Sequence, residues 1–367
     1  MIDSKIYQHE TEFALRLLAT LLHSGSVVLS PLSISLGLAL IHAGTQGSTK
    51  RELEKVLLGS DGHNASEILE HFAHIMDNVL EGENGVETSI VNRVFVNKQF
   101  TIQANYLASV EKFCKASVQN LDFSQKELAA ETINNFVEDS TRGKIKNLIP
   151  TENVENMLSF LVNAVSFRAD WQSKFNKAST AIRNFYTEDG VSRQILFLNE
   201  FEQHRDYTED GLFQVLSLKY ADPNFSLTIF LPKRKFGLIA ALEKTTGDII
   251  QNLLNDLKNS YVNVHIPKFQ IEKELDLKTA LEAIGIKEIF QEGADISGIA
   301  ENLKISSAIH KAIIEVDEDG TTASAASAFN VTSEMMIMAE PTTFLADHPF
   351  FFTLFYRMDP LFVGVHS

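Results

Sequence analysis

The sequence predicts one domain in which α-helices and β-strands are mixed. Helix-like periodicity dominates the first third of the chain, and apolar, strand-like runs take over from residue 158 onward. Hydrophobic residues make up 44% and charged residues 22% of the 367 residues, while Gly (18) and Pro (8) are scarce. This is ordinary globular composition, without a linker or an internal repeat. We therefore expect residues 1–367 to fold as a single mixed domain.

Helix signals follow one another in the first third. Ser30 and Pro31 predict a helix start before the apolar run that ends at His42. A capping-box pattern, with a Ser or Thr three residues before Glu52, predicts a second helix over 48–58. The other elements of this part are predicted helices over 64–80, 104–118 and 127–140 and a predicted strand over 88–97.

Strand signals dominate the remainder of the chain. The nearly all-apolar run 158–168 predicts a central strand that is buried on both faces. Further strands are predicted over 225–231, 261–269, 310–315, 350–356 and 361–365. Helices are predicted between these strands over 236–257 and 275–285.

The charge balance disfavours several classes of partner. The chain has 32 Lys and Arg against 48 Asp and Glu, which gives a net charge of −16. A strongly acidic surface repels nucleic acid, heparin and anionic membranes, so we expect none of these as partners. No run of 18 uncharged apolar residues occurs, so no transmembrane helix is predicted.

The cysteine content and the N-terminal stretch bear on the compartment. Cys114 is the only cysteine, so an intrachain disulfide cannot form, which fits a reducing compartment. The apolar stretch 13–22 carries Arg16 in its middle and has no basic region before it. It therefore predicts an amphipathic helix rather than a signal peptide. We expect a cytoplasmic protein, with secretion as the alternative.

Patterns that could mark an enzyme or a metal site are incomplete. Walker A, GxGxxG and GxSxG motifs are absent, and no nucleophile–base pair is recognisable. His71 and His74 lie three residues apart on a predicted helix but lack a third zinc ligand, so we interpret them as part of a solvated helix face. The run 315–320 imitates the start of a calcium loop, but Ala326 stands where a bidentate Glu is required. We expect no catalytic residue, no metal and no cofactor.

The most unusual segment is 320–348. Its first part, 320–328, contains only small, uncharged side chains. A long segment without regular structure inside a compact domain is either functional or disordered, and this neutral composition fits disorder poorly. The segment directly extends the predicted strand that ends at Glu315. Small residues could slide between two strands, because nothing bulky or charged would have to be buried.

These residues resemble a known family. The run 309–326 is similar to the hinge of the serpins, and 347–352 with 360–364 is similar to their C-terminal signature. Other serpin-like motifs occur in the family's order along nearly the whole chain, at 30–35, 135–145, 161–167, 171–175, 265–269 and 293–298. Within the family, the chain resembles the intracellular, ovalbumin-like serpins of clade B. One departure is Ser26, which stands where the family often has Asn.

The resemblance implies about nine helices around three β-sheets, with an exposed reactive-centre loop at about 318–345. It also implies an inhibitor rather than an enzyme. A target protease attacks the loop and forms an acyl-enzyme ester, and the freed segment beginning at Thr321 inserts into the central sheet and traps the protease. The implied hinge consists of Glu318, Gly320, Thr321, Thr322, Ala323, Ser324, Ala325 and Ala326. The alternative is a non-inhibitory serpin, a binding protein or chaperone, whose hinge tends to carry charged or bulky residues.

Two further sites carry over from the family. The implied shutter cluster, beneath the strands that part, consists of Ser30, Ser33, Asn163 and His310. Trp171 matches the breach, where the loop first enters the sheet. The same residues are also compatible with ordinary structural roles. Ser30 could cap a helix, His310 could be a hydrogen-bonded core histidine, and Trp171 could simply pack in the core.

The scissile bond depends on how the loop is counted. Counted from Gly320, it falls at Glu334–Met335; counted back from Pro349, it shifts toward Met338. We favour Glu334–Met335, because insertion length restricts the hinge side. Glu334 would require a basic primary pocket, as in acidic-specific serine proteases of the granzyme B type. Cleavage at a Met would fit chymotrypsin-, elastase- or cathepsin-like enzymes, a cysteine protease included. We expect the inhibitor to be a monomer.

Overall fold

A computed structural model describes residues 4–57, 65–80, 85–114, 117–155, 157–321 and 340–367, and this part contains nine α-helices and fifteen β-strands. The helices are α1 (Ser4–Ala19), α2 (Pro31–His42), α3 (Gly47–Leu57), α4 (Ala65–Leu80), α5 (Ala104–Cys114), α6 (Lys126–Ser140), α7 (Leu238–Leu242), α8 (Gly247–Asn255) and α9 (Leu277–Ile284). The strands are β1 (Val27–Leu29), β2 (Glu87–Asn97), β3 (Ser117–Leu121), β4 (Ser159–Asp170), β5 (Ala181–Tyr186), β6 (Ser192–Glu209), β7 (Phe213–Lys219), β8 (Phe225–Pro232), β9 (Lys258–Pro267), β10 (Phe269–Asp276), β11 (Ser307–Val316), β12 (Gly320–Thr321), β13 (Thr342–Leu345), β14 (Phe350–Tyr356) and β15 (Asp359–His366).

A six-stranded sheet is built around β4, the strand predicted to be central. Its order is β10-β11-β4-β2-β3, and the short β12 pairs with the end of β4. The pairing of β11 with β4 is parallel and joins Ser307–Ile313 to Phe160–Ser166. Nearly every residue of β4 is buried, because the strand has neighbours on both edges and is covered on both faces.

A second network of nine strands follows the order β1-β15-β14-β8-β7-β6-β9-β13, with β5 on β6. Its two halves are joined by β6, whose first part pairs with β5 and β9 and whose last residues, 206–209, pair with β7. Each half of the nine-stranded network can be counted as one sheet. Together with the six-stranded sheet this gives three sheets. The predicted mixed fold of about nine helices around three sheets is confirmed.

Helix α2 lies in the interior, and all of its residues are buried. It begins as the sequence predicts: the Ser30 hydroxyl accepts a hydrogen bond from the Ser33 N–H at 3.2 Å, and Pro31 occupies the first turn. The helix packs against β4, β2 and β15, so it connects the six-stranded sheet to the nine-stranded network.

Three local predictions were wrong because tertiary contacts outweighed the local sequence preferences. The predicted helix 236–257 is divided into α7 and α8, with Thr246 capping α8. The helix predicted to reach 118 ends at Cys114, since Ser117–Leu121 pairs with β2 instead. The capping box does not form: Glu52 Oε1 accepts the N–H groups of Lys287 and Glu288, each at 2.7 Å.

Two global predictions concern membranes and metals. No helix in the described ranges is both long and apolar enough to cross a bilayer. Among the same residues, no three His, Cys, Asp or Glu side chains come together as a metal site. The side chains of His71 and Cys114 lie outside the described residues.

Candidate functional site

The chain reverses direction after β11 in a tight turn over 317–320, here called the hinge turn. The Asp317 N–H donates to the Gly320 carbonyl at 2.9 Å, and the Asp317 carboxylate accepts the N–H of Gly320 at 3.1 Å. The returning chain forms β12, in which Thr321 pairs with Ala169 of β4. A Cβ atom at Gly320 would lie 2.0 Å from the Ala169 carbonyl oxygen, so this approach requires glycine.

Lysines hold the acidic hinge turn against the protein. Glu318 and Asp319 are both buried, and the Asp319 carboxylate lies 2.6 Å from Lys177 Nζ and 3.6 Å from Lys174 Nζ. Glu318 pairs with Lys268 at 2.7 Å. Burial alone would raise the pKa of Glu318, but hydrogen bonds, that from Lys268 foremost, hold it below its ordinary value. Glu318 is therefore ionised at neutral pH, and its ion pair with Lys268 helps to hold the turn.

Trp171 binds the hinge turn directly instead of only filling the core. Its indole N–H donates to the Asp317 carbonyl at 2.8 Å, and its backbone N–H donates to the Asp319 carbonyl at 2.9 Å. Its ring stacks on Tyr220 with centroids 4.5 Å apart and planes 11° apart. The structure thus places the predicted breach residue at the point where the chain turns into the sheet.

Tyr220 is a site residue that the sequence analysis missed. Its hydroxyl lies 2.8 Å from the Thr321 hydroxyl, and both side chains are fully buried. Burial raises the pKa of Tyr220, so the phenol is neutral. The residue lies 101 positions from Thr321, and nothing in its local pattern marks it. Thr321 was expected to enter the sheet only after cleavage, yet its first pairing is already formed.

The shutter residues form one buried hydrogen-bonded cluster. His310, Asn163 and Asn92 lie side by side in one row across β11, β4 and β2. The His310 Nε2 accepts the Ser30 N–H at 3.1 Å, so Nδ1 carries the proton and donates to the Asn163 carbonyl oxygen. The Asn163 amide contacts the Ser33 carbonyl at 2.6 Å and the Asn92 side chain. The structure brings the four predicted residues together and adds Asn92.

We expect this cluster to make the fold acid-sensitive. Burial lowers the pKa of His310 to about 3, below its ordinary value of 6.5. Between pH 6.5 and 3, His310 therefore binds a proton in the unfolded chain but not in the folded one. Its contribution to the free energy of unfolding is complete above pH 6.5 and is lost as the pH drops toward 3. Each pH unit in this window costs about 1.4 kcal/mol. Urea unfolding at pH 7 and pH 5 should show a loss of about 2 kcal/mol from this group.

The control for this prediction separates His310 from the other histidines. His310→Gln should reduce the pH dependence of the unfolding free energy by about that amount, whatever it does to stability at pH 7. The buried His265 and His366, whose pKa values burial also lowers, to about 4 and about 3, remain in this variant and keep their own share of the pH dependence. An unaltered slope in His310→Gln would contradict a neutral buried imidazole.

A cavity of about 140 Å³ is lined by residues at the end of the β4–β11 ladder, among them Ser166, Arg168 and Ile313. Ser166 and Ile313 are the last residues at which β4 and β11 pair. Arg142 and Arg168 line the cavity and approach Glu87 at 3.5 and 4.0 Å. Beyond the Ser166–Ile313 pair, β11 no longer pairs with β4, and β12 pairs with β4 at Ala169 and Asp170.

The loop itself is the part of the site that stays a prediction. Thr322 to Ala326 and the bond Glu334–Met335 lie outside the described residues. The chain is described again from Glu340, and β13 then pairs in parallel with β9. The loop therefore connects the six-stranded sheet to the edge of the nine-stranded network.

Comparison with known proteins decides the family. The family model described as "Serpin (serine protease inhibitor)" matches residues 8–367. The chain belongs to the serpin family. Serine protease inhibitor 42Dd of Drosophila melanogaster is 34% identical over 335 residues, covering 90% of this chain and 87% of the relative. The leukocyte elastase inhibitor of Equus caballus is 33% identical and covers 97% of each chain.

Solved serpin structures share the fold over the full length. Serpin48 of Tenebrio molitor, described as highly specific, superposes with a TM-score of 0.89 at 28% identity, over 100% of this serpin and 98% of that chain. Human thyroxine-binding globulin in complex with thyroxine superposes with a TM-score of 0.86 at 26% identity, over 98% and 97% of the two chains. The family therefore includes protease inhibitors and a hormone-binding member.

Proposed function

We propose that this serpin inhibits a protease irreversibly, as a suicide substrate. The observation that carries the proposal is β12: the chain has begun to form an extra strand beside β4, at the end where β4 and β11 have separated. Continued insertion would part the parallel ladder of β11 and β4 and break the His310–Asn163 hydrogen bond. The shutter cluster then resists insertion until cleavage frees the loop.

The chemistry of the proposed step balances without a cofactor. The protease nucleophile attacks the carbonyl carbon of Glu334, an ester forms, and Met335 leaves as a new N-terminus. The segment from Thr321 to Glu334, still esterified to the protease, would extend over about 45 Å as a strand. Its insertion carries the protease to the opposite end of the sheet before water can hydrolyse the ester.

The hinge composition favours inhibition over the carrier alternative. Residues 321–328 carry no charge and no side chain larger than Thr, so their burial leaves no unpaired charged group. A non-inhibitory serpin, such as a binding protein or chaperone, has no need of such a segment. The alternative predicts cleavage without a trapped protease.

We propose further that the target is an acidic-specific serine protease, cleaving at Glu334–Met335. Incubation with a protease panel should give a complex stable on a denaturing gel, and mass spectrometry should find a released C-terminal fragment beginning at Met335. Glu334→Ala should abolish the complex with the acidic-specific enzyme, because a methyl group cannot pair with a basic pocket. Glu340, a nearby exposed carboxylate, provides the matched control, and Glu340→Ala should leave the complex intact.

Other cleavage fragments would change the assignment of the scissile bond and of the target protease. A fragment that starts elsewhere, together with a complex that survives Glu334→Ala, would show that the bond is wrong and would point to a Met-preferring serine or cysteine protease. Failure of every protease in the panel to form a covalent complex would contradict inhibition itself.

We also propose that the protein acts in the cytoplasm as a monomer. The single Cys114 supports a reducing compartment, because it leaves no disulfide to maintain. Cell fractionation and size-exclusion chromatography of the natural protein test the two statements separately.

A further inference from the structure

The cavity of about 140 Å³ at the end of the β4–β11 ladder has a highly polar lining. Ten of its twelve described lining residues are polar or charged. Three of them are cationic, Arg142, Lys144 and Arg168, and three are anionic, Glu87, Glu272 and Glu315. Polar groups that leave bulk water need hydrogen-bonding partners, so a lining of this kind suits a polar ligand rather than an apolar one.

Strand register places the lining residues of the sheet in two neighbouring rows. The first row crosses β2, β4, β11 and β10 and consists of Ser89, Ser166, Ile313 and Glu272. The second row lies two residues further along each strand and consists of Glu87, Arg168, Glu315 and Gln270. Side chains two positions apart on a strand share a face, so the two rows line the cavity from one face of the sheet. The pairing of β4 with β11 ends in the first row, which leaves a gap between the two strands in the second.

The turn that follows α6 supplies two of the three cations. Its conformation is fixed by Thr141, whose hydroxyl donates to the Val137 carbonyl at 2.7 Å and accepts the Ile145 N–H at 3.1 Å. Arg142 has a φ of +51°, a left-handed conformation that a residue other than glycine keeps only where its surroundings enforce it. Strained residues of this kind are frequent where a protein holds a ligand. The turn thus brings Arg142 and Lys144 to the cavity in a fixed arrangement.

The ion pairs at this end of the cavity are loose. Arg142 and Arg168 approach the same carboxylate, that of Glu87, at 3.5 and 4.0 Å, and both distances are longer than an ordinary hydrogen bond. Two guanidinium groups beside one carboxylate leave an excess of positive charge there. Glu272 does not compensate this excess, because it pairs with Lys311 at 2.8 Å.

The opposite end of the cavity is formed by Gln270 and Glu315, which pair across β10 and β11. Among the described residues, neither of these two side chains has a hydrogen-bonding or ionic partner. A carboxylate accepts hydrogen bonds, and a carboxamide both accepts and donates them, so this end suits hydroxyl groups. A cavity of about 150 Å³ holds a molecule as large as benzene, which restricts the ligand to a small compound.

We propose that this cavity binds a small phosphorylated polyol, with the phosphate at Arg142, Lys144 and Arg168 and the hydroxyl groups at Glu315 and Gln270. Guanidinium groups suit phosphate because their N–H groups donate paired, charge-assisted hydrogen bonds in one plane. The net charge of −16 repels polyanions and anionic surfaces, so it favours a soluble small molecule over a nucleic acid or a membrane.

The bound molecule would obstruct insertion of the loop, a consequence that rests on the proposed inhibition. Continuing the antiparallel register of β12 on β4 would place Thr322 opposite Arg168 and Ser324 opposite Ser166. Both side chains would then face the cavity, so the ligand would have to leave first. At a ligand concentration of about a hundred times Kd, about 1% of the protein is unoccupied, and insertion would slow about a hundredfold. The attack of the protease on the loop would keep its rate.

Titration calorimetry on the intact protein tests the site itself, with glycerol 3-phosphate as the probe. At constant ionic strength, it should bind about tenfold more tightly than glycerol or inorganic phosphate, because each of these lacks one set of contacts. Arg142→Gln should weaken the binding of glycerol 3-phosphate about tenfold or more. Lys146→Gln is the matched control and should bind like the wild type, because Lys146 is exposed near the same turn, pairs with Glu138 and is not among the residues that line the cavity.

The second measurement is the ratio of cleaved to trapped serpin with the protease that the panel identifies. Glycerol 3-phosphate at about a hundred times Kd should raise this ratio about a hundredfold in the wild type and in Lys146→Gln. In Arg142→Gln, whose affinity is about tenfold lower, the same concentration should raise it only about tenfold.

The outcomes separate the site from its consequence. Absence of binding to the intact protein, or equal affinity in the wild type and Arg142→Gln, would overturn the site whatever the function of the protein. Inorganic phosphate that binds as tightly as glycerol 3-phosphate would overturn the polyol, and recruitment of the protein to phosphatidylglycerol vesicles would overturn a soluble ligand. Binding with an unchanged ratio would overturn the obstruction of insertion alone. Absence of trapping in the ligand-free protein would contradict the proposed function, while the calorimetry still decides the site.

Discussion

Thr321→Arg is expected to convert this serpin from an inhibitor into a substrate. The Thr321 side chain is fully buried beside β4, with its hydroxyl 2.8 Å from that of Tyr220. An arginine there would bring a charge without a partner into the interior, at a cost of several kcal/mol even after relaxation. In the uncleaved variant this cost should release β12 from the sheet, so the arginine has to be buried during insertion; if about 4 kcal/mol of the cost appears in that barrier, insertion slows about a thousandfold. Deacylation takes place in the protease and keeps its rate, so hydrolysis wins.

The measurement is the stoichiometry of inhibition together with the covalent complex on a gel. Thr321→Arg should be cleaved at the same bond as the wild-type protein while leaving little complex. In the inserted strand, alternation would place the side chain after Thr321 on the opposite face, so Thr322→Arg should keep most of the inhibition. Equal inhibition by the two variants would show that the loop does not insert.

Cleavage within the loop is expected to raise the melting temperature by about 20 °C. Insertion would extend the two residues of β12 into a full strand, with a hydrogen-bonded ladder on each side in place of the β11–β4 ladder. About ten additional backbone hydrogen bonds at about 1 kcal/mol each would stabilise the cleaved form. A chain of this size gains about 2 °C for each kcal/mol. Most nicked proteins lose stability or stay unchanged.

Calorimetry before and after cleavage checks this expectation. Cleaved Thr321→Arg provides the control, since insertion that costs about 4 kcal/mol more should leave a rise in melting temperature that is about 8 °C smaller. Equal melting temperatures for the intact and cleaved wild-type protein would favour the non-inhibitory alternative.

The helix start at Ser30-Pro31 and the buried strand at 158–168 were predictable because local chemistry decides them. A capping hydroxyl followed by proline acts within four residues, and an uninterrupted apolar run has to be covered on both faces. The break between α7 and α8 was not predictable in the same way. Both halves favour helix, yet a separate helix begins at Gly247. Helix α1 packs so closely at this point that a Cβ atom added to Gly247 would lie 2.3 Å from the Gln8 carbonyl oxygen.

The hinge could be found in the sequence because its function restricts side-chain size over consecutive residues. A run without bulk or charge is visible in any linear inspection of 320–328. Its partners could not be found in this way. Tyr220, Lys177 and Asn92 meet the site from other strands and loops, and no spacing rule connects them to it.

The sequence by itself determined which chemistry is available: small residues for insertion, a histidine and amides for the shutter, and lysines and carboxylates that can pair. Only the tertiary structure decided how far insertion has gone before cleavage. Ser30 and His310 are 280 residues apart, and Thr321 and Tyr220 are 101 apart. Their contacts depend on the register between distant strands, which local propensities do not specify. The position of Thr321 in the sheet depends on three sets of contacts: the lysines that hold the hinge turn, the hydrogen bond to Tyr220 and the ladder between β11 and β4. These contacts exist together only in the folded chain.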